Sequence, residues 1–191
     1  PLDAVTGVLN SGASAILDHR DYILFSQRGT HYAEPFLDCP GRTDFQWELA
    51  AQSLSLAERN AQELEFWNAC RDDLVTQGIN LAAYNSAEND ADVNDLRLAL
   101  GYEQVNLYGI SYGSRLALIV LRDHPEGVRS AIIDAIWPPQ VALDHDVALN
   151  AYRSFRAVFD ACVADTKCAR TYPNLETTFR QVLQDLTAHP V

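Results

Sequence analysis

The chain lacks any apolar run that approaches the roughly 20 residues of a membrane-spanning helix, so no membrane span is predicted. It is also poor in basic residues: 14 Lys and Arg stand against 26 Asp and Glu, which gives a formal net charge of −12. This balance disfavours nucleic acid and anionic membranes as partners. The sequence contains no internal repeat and no low-complexity segment. Its 191 residues, 48% of them hydrophobic, are enough to bury a core, as one domain or as one domain and the start of another.

The four cysteines have neither a C-x-x-C pair nor the Cys/His spacing of a zinc site, so no metal site is predicted. Their natural pairing is Cys39 with Cys70 and Cys162 with Cys168; the alternative is four reduced, buried thiols. Disulfides would place the protein in an oxidising compartment, outside the cytosol. The chain opens at Pro1 with neither Met nor a basic leader, and we expect a processed or cut segment.

Short apolar segments alternate with helix-forming segments along the chain. Strands are predicted at 21–26, 104–108 and 130–135, and loops at 30–44 and 85–88. Four helical regions are predicted: within 45–77, from about residue 90 to Leu100, over 114–122, and from about 144 to the end with a break near Tyr172. Gly78 and Gly101 are expected to end the first two of these helices. Asp90 or Asp92 is expected to cap the N-terminus of the helix that ends at Leu100. The alternation predicts an α/β protein with a parallel sheet and right-handed crossovers.

The most specific motif is Gly109-Ile110-Ser111-Tyr112-Gly113, a G-x-S-x-G sequence between a predicted strand and a predicted helix. This context predicts a nucleophile elbow, in which Ser111 projects its hydroxyl from a sharp turn and the Tyr112 N–H donates to an oxyanion. We expect both glycines to relieve crowding at the turn. The helix N-terminus would favour developing negative charge. The alternative is a glycine-rich turn with a capping serine.

The motif and its surroundings resemble the α/β-hydrolase serine aminopeptidases, the relatives of tripeptidyl aminopeptidase and prolyl iminopeptidase. The matching segments, which cover nearly the whole chain, are Gln27 to Thr30, Leu37 to Pro40, Tyr84 to Val93, Leu98 to Tyr102, Leu107 to Leu118, Arg122 to Arg129, and Pro138-Pro139. The resemblance implies a partial α/β-hydrolase fold in residues 1–143, the N-terminal half of the core, and the start of a helical lid in 144–191. It also implies hydrolysis from free peptide N-termini, no metal or organic cofactor, and export to the cell envelope or beyond.

Two positions and one loop depart from the family pattern. Ser26 stands where the family has Asp before Gln-Arg-Gly, and His31 stands where it has Gly. The His-Gly-Gly-Pro-Gly loop that supplies a second oxyanion donor is absent, and we expect it to lie just upstream. In this fold the triad runs Ser, Asp, His. The acid and the histidine are therefore expected outside this segment, beyond residue 191.

Within the chain, His31 is the alternative base, because it lies in a loop that can approach the strand ends. Asp134, at the end of a predicted strand, is the alternative acid. His124 lies about 18 Å along the helix from Ser111 at 1.5 Å per residue, which suits a helix end better than a base.

The sequence thus predicts an exported serine aminopeptidase that forms an acyl-enzyme on Ser111 and acts on peptides. The missing C-terminal half of the same enzyme is its expected partner, and the segment alone is expected to be inactive. The alternatives are an esterase or lipase-like acyl hydrolase, and a non-catalytic fragment without the triad Asp and His.

Overall fold

A computed structural model describes residue 7 and residues 14–189 of the chain. These residues divide into two compact units, Pro1–Pro139 and Gln140–Val191. None of the helices in the described part is long and apolar enough to cross a membrane.

The first unit surrounds a parallel pair of strands. Its helices are α1 (Ser14–Leu17), α2 (Arg42–Ala50), α3 (Leu56–Thr76), α4 (Ser86–Ala99) and α5 (Tyr112–Asp123), with 3-10 turns at Leu81–Ala83 and Pro125–Gly127. Its strands are β1 (Val105–Ile110) and β2 (Val128–Asp134). Helix α5 connects the two strands, and their carboxyl ends coincide because Ile110 is paired with Asp134. The predicted α/β class and parallel pairing are confirmed.

Helix α5 forms the centre of this unit because one of its faces is apolar. Leu116, Ala117, Ile119 and Val120 are all buried there, and the helix packs against α4 and both strands. Burying such side chains contributes roughly 1.5–3 kcal/mol for each large one, measured against leaving it exposed. The helix that carries the motif is therefore fixed by the core at its middle and C-terminal half.

Three predictions from the sequence are wrong in this unit. Residues 21–26 form no paired strand, because no described segment lies alongside to complete a hydrogen-bond ladder. Residues 86–88 belong to α4 rather than to a loop. The cap of α4 is neither Asp90 nor Asp92 but Asn85, whose side-chain oxygen accepts from the backbone N–H groups of Ala87 and Glu88. Gly78 and Gly101 follow helix ends at positive φ as expected, at 82° and 79°.

A disulfide joins Cys39 in the loop before α2 to Cys70 on α3, with the two Cα atoms 5.5 Å apart. It ties the loop that follows Arg28 and Gly29 to the longest helix of this unit. The pairing is the one considered natural from the sequence.

The second unit is helical. It contains α6 (Leu143–Ala164), α7 (Thr166–Thr171) and α8 (Leu175–Ala188). The Phe155, Phe159 and Phe179 rings cluster between α6 and α8, with centroids 4.8 to 6.4 Å apart. Cys162 and Cys168 form a disulfide across the α6–α7 turn. The predicted helices and their break near Tyr172 are confirmed, whereas the function of this unit as a lid stays a prediction.

Candidate active site

Ser111 occupies a sharp turn between β1 and α5. Its backbone has φ 55° and ψ −120°, a conformation that residues with a Cβ rarely adopt and that costs about 1–3 kcal/mol. Such a conformation persists only where its surroundings hold it. It turns the chain from strand to helix within one residue, as an elbow requires.

Gly109 is needed for this turn on steric grounds. A Cβ at Gly109 would lie 2.3 Å from the carbonyl oxygen of Gly113 and 3.0 Å from the backbone nitrogen of Ser114. The strand therefore passes directly under the first turn of the helix. Gly113 differs, because a Cβ there would meet no described atom within 4 Å apart from its chain neighbours and the nearby backbone of its own helix. The expectation that both glycines relieve crowding holds for Gly109 and is wrong for Gly113.

Backbone hydrogen bonds fix the elbow to the end of β2. The Ser111 N–H donates to the Asp134 carbonyl at 3.1 Å, and the Ser114 N–H donates to the Ser111 carbonyl at 2.9 Å. Tyr112 is the first residue of α5, so its N–H has no acceptor within the helix. That N–H lies beside Ser111 in sequence, where an oxyanion donor is needed.

The Tyr112 side chain is held by two neighbours outside its own helix. Its hydroxyl is hydrogen-bonded to Ser86 Oγ at 2.9 Å, at the start of α4. Its ring lies edge-on to Trp137, with centroids 6.2 Å apart. The elbow is thus linked to α4 through a side chain and to β2 through the backbone.

Residues that the sequence analysis did not single out pack around the elbow. The Arg115 guanidinium lies 5.0 Å from the Trp137 ring centroid and donates to the Pro138 carbonyl at 3.2 Å. Ser114 is fully buried, and its Oγ accepts from the Trp137 N–H at 2.9 Å. The available signal was a serine in the first turn of the helix, together with the Trp-Pro-Pro sequence after β2.

The histidines of the chain have other neighbours. His124 ends α5, and its Nε2 lies 3.6 Å from Asp90 Oδ2. The His31 ring makes edge contacts with Tyr32 and Phe36. Among the described residues, no hydrogen bond joins a histidine to Ser111. Asp134 contacts the elbow through its backbone carbonyl, and the residue itself is exposed.

Helix α4 is held to the loop after residue 27 by Arg28. Its guanidinium donates to both carboxylate oxygens of Asp92, at 2.6 and 2.7 Å, and to the Ala83 carbonyl at 2.8 Å. The bonds to Asp92 raise the pKa of Arg28 above its ordinary value, so the residue is a permanent cation. An open cavity of about 460 Å³ adjoins this pair.

A buried carboxyl lies at the opposite end of α5 from Ser111. Asp90 is only 2% exposed, and burial, followed by the nearby charge of Asp123, raises the pKa of its carboxyl. Within the described ranges, no group of three or more His, Cys, Asp or Glu side chains could hold a metal ion.

A strained serine between a parallel strand and a helix, with a glycine two residues before it, is typical of hydrolases that use a nucleophile elbow. Residues 8–184 match the family described as alpha/beta hydrolase fold, and the chain belongs to that family. The predicted fold is thereby confirmed.

Named relatives agree with the resemblance to the peptidases of this fold. The chain is 25% identical over 175 residues to serine protease Hip1 of Mycobacterium tuberculosis, an alignment that covers 88% of this chain and 32% of that protein. It is 27% identical over 142 residues to the tripeptidyl aminopeptidase of Streptomyces lividans, covering 68% of this chain and 26% of that protein. The chain therefore spans about a third or less of the length of these curated relatives. No solved structure matches it significantly.

Proposed function

We propose that this chain carries the nucleophile of an exported serine aminopeptidase and that Ser111 forms the acyl-enzyme. The observation that carries the proposal is the backbone of Ser111, with φ 55° and ψ −120°, above a Gly109 that has no room for a Cβ. A capping serine in an ordinary turn needs no such strain, since N-cap residues usually have extended φ and ψ.

In the proposed reaction, Ser111 Oγ attacks the carbonyl carbon of a peptide bond and its proton passes to a histidine base. The carbonyl oxygen becomes an oxyanion that accepts a hydrogen bond from the Tyr112 N–H. The histidine then protonates the leaving amine, and water releases the acyl group in the second half-reaction. The histidine, the acid that orients it and a second oxyanion donor come from residues outside this chain.

Peptide substrates are proposed because the named relatives are a serine protease and a tripeptidyl aminopeptidase. Release of residues or short peptides from a free N-terminus is the finer part of the proposal. Export is supported by the two disulfides, which persist in oxidising compartments and are rare in the cytosol.

The test uses the complete natural protein and its Ser111→Ala variant. We expect the wild type to react with a fluorophosphonate probe and to cleave aminoacyl or tripeptidyl amides, and the variant to lose both activities by about 10³-fold or more. Ser130→Ala is the matched control, because Ser130 is exposed near the start of β2 and is hydrogen-bonded to Asn106.

Peptidase activity within tenfold of wild type in Ser111→Ala would contradict the nucleophile. Turnover of p-nitrophenyl esters without turnover of peptide amides would instead identify an esterase. Absence of labelling in the wild type would indicate a non-catalytic protein.

A further inference from the structure

The elbow depends on more than its glycine. Ser111 is one of two residues other than glycine with positive φ among the described residues of the first unit, and Ala135, with φ 50°, is the second. Ser111 follows β1 and Ala135 follows β2, so both turns lie at the carboxyl edge of the same parallel pair. A structure that keeps two strained turns side by side needs contacts that hold them together.

One hydroxyl group touches both turns. Ser114 Oγ donates to the Ser111 carbonyl at 2.5 Å and lies 3.3 Å from the Ala135 carbonyl. The same oxygen accepts from the Trp137 N–H at 2.9 Å. The Ser114 side chain has no solvent exposure, so water cannot take the place of any of these partners.

The hydroxyl is chemically matched to this position. It has one proton to donate and two lone pairs with which to accept. The segments after β1 and β2 present the Ser111 and Ala135 carbonyls and the Trp137 N–H to it. Alanine would leave the Trp137 N–H without this acceptor and would remove the side-chain bond to the Ser111 carbonyl. The loop at 135–137 would thereby lose a hydrogen bond that ties it to the first turn of α5, and it would be free to shift.

We propose that Ser114 is a positioning residue that sets the orientation of the Ser111 nucleophile by locking its turn to the loop after β2. The inference rests on the proposed function of Ser111. Ser114 is fully buried, and its hydroxyl acts on the nucleophile through the Ser111 carbonyl. Small displacements of a nucleophile are expected to slow the chemical step more than they weaken substrate binding.

The experiment compares Ser114→Ala and Ser114→Thr in the complete natural protein. Threonine in a helix keeps a hydroxyl that can bond to the carbonyl three or four residues earlier, which is the Ser111 carbonyl here. For each variant we would measure kcat, KM for a peptide amide, and the second-order rate constant for fluorophosphonate labelling, all per folded molecule. Ser130→Ala is again the control, since it removes an exposed hydroxyl near the other end of the strands.

We expect Ser114→Ala to lower kcat and the labelling rate constant by about tenfold or more, with KM within about twofold of wild type. Ser114→Thr should recover most of the loss, and Ser130→Ala should not differ from wild type. Should Ser114→Ala fail to fold, Ser114→Cys replaces it, because a thiol fills similar space but hydrogen-bonds weakly. The same threshold then applies to that variant.

A labelling rate constant within twofold of wild type in folded Ser114→Ala would overturn the inference, and so would a rise in KM at unchanged kcat. Either result leaves Ser111 itself in place, because it concerns the variant alone. Failure of the proposed function would look different: wild type would resist the probe, or Ser111→Ala would react as fast as wild type, and the role of Ser114 would fall with it.

Discussion

The two glycines that flank Ser111 look equivalent in the motif, but their surroundings differ. Gly109 lies under the first turn of α5, where the nearest backbone oxygen would be 2.3 Å from an added Cβ. Gly113 lies in the helix itself, and an added Cβ would meet no described atom within 4 Å apart from its chain neighbours and the nearby backbone of that helix. Only the first glycine is therefore required by the backbone of the elbow.

This difference predicts opposite outcomes for the two alanine variants. Gly109→Ala must push β1 away from α5, and we expect it to cost more than about 2 kcal/mol of unfolding free energy. Gly113→Ala should be neutral or stabilise by about 0.5–1 kcal/mol, because alanine is the better helix former. Urea unfolding of both variants in the complete natural protein measures the difference. Equal losses in the two variants would contradict the steric argument.

The carboxyl of Asp90 offers a second test on the scale of a residue. Burial and Asp123 raise its pKa above 3.8, and a protonated Asp90 donates to the Asp123 carboxylate. His124 faces Asp90 at 3.6 Å and lowers that pKa in part, while Arg122 pairs with Asp123. The pKa of Asp90 is higher in the folded state than in the unfolded state. Asp90 therefore contributes most to stability below about pH 3.8, and this contribution is lost as the pH rises through the folded-state pKa.

We therefore expect Asp90→Asn to lose less stability than wild type as the pH rises above about 4. The amide can donate to Asp123 without carrying a charge. At pH 7 the variant should be at least as stable as wild type, because it carries no buried charge at position 90. Melting temperatures at several pH values measure this, with Asp72→Asn as the control because Asp72 is exposed. An Asp90→Asn variant that is less stable than wild type at pH 7 would contradict the predicted direction of the stability change.

On the scale of secondary structure, the segments with clear periodicity were predictable and the start of α4 was not. Strands β1 and β2 and helix α5 follow from alternating apolar and helix-forming segments near their observed bounds. The start of α4 was misplaced because Asn85, Asp90 and Asp92 are all good capping residues. Tertiary contacts decide among them: Asp92 binds Arg28, Asp90 lies against His124, and Asn85 remains for the cap.

The cap itself is testable. Asn85→Ala removes the acceptor for the Ala87 and Glu88 N–H groups and the donor to the Ala82 carbonyl. We expect a loss of about 1–2 kcal/mol of unfolding free energy. Asn85→Asp keeps the acceptor and should lose less, while Asp95→Ala, an exposed change on the same helix, should be nearly neutral. If Asn85→Ala left the unfolding free energy unchanged, the N-cap of α4 would have to be reassigned to Asp90 or Asp92.

The segment at 21–26 shows a limit of sequence patterns. Its apolar residues are typical of a buried strand, but a strand exists only when a neighbour completes its hydrogen bonds. No described segment forms a strand ladder with it, and among the described residues Ser26 Oγ is buried without a hydrogen-bond partner. The contacts of Ser114 were equally hidden, because they join residues 21 to 23 positions apart that no motif connects.

On the scale of the whole molecule, the question is what completes the site. The motif predicts a nucleophile, and the structure gives Ser111 a strained turn next to the first N–H of a helix. No described histidine is hydrogen-bonded to it. The matched segments make up 32% and 26% of the two curated relatives. Each relative is therefore at least three times as long as the part that matches this chain. We infer that the general base lies in residues beyond these 191.

This inference predicts that the 191-residue chain, expressed alone, turns over peptide amides at least about 10³-fold more slowly than the complete natural protein. A serine hydroxyl without its base stays protonated near neutral pH and attacks poorly. Adding the separately expressed remainder of the natural protein should restore part of the activity, because the first unit already presents the elbow. The assay compares the chain, the mixture, and the mixture with Ser111→Ala. Turnover by the chain alone within tenfold of the complete protein would require a base among its own histidines, and His31, in the loop after residue 28, would be the first to replace.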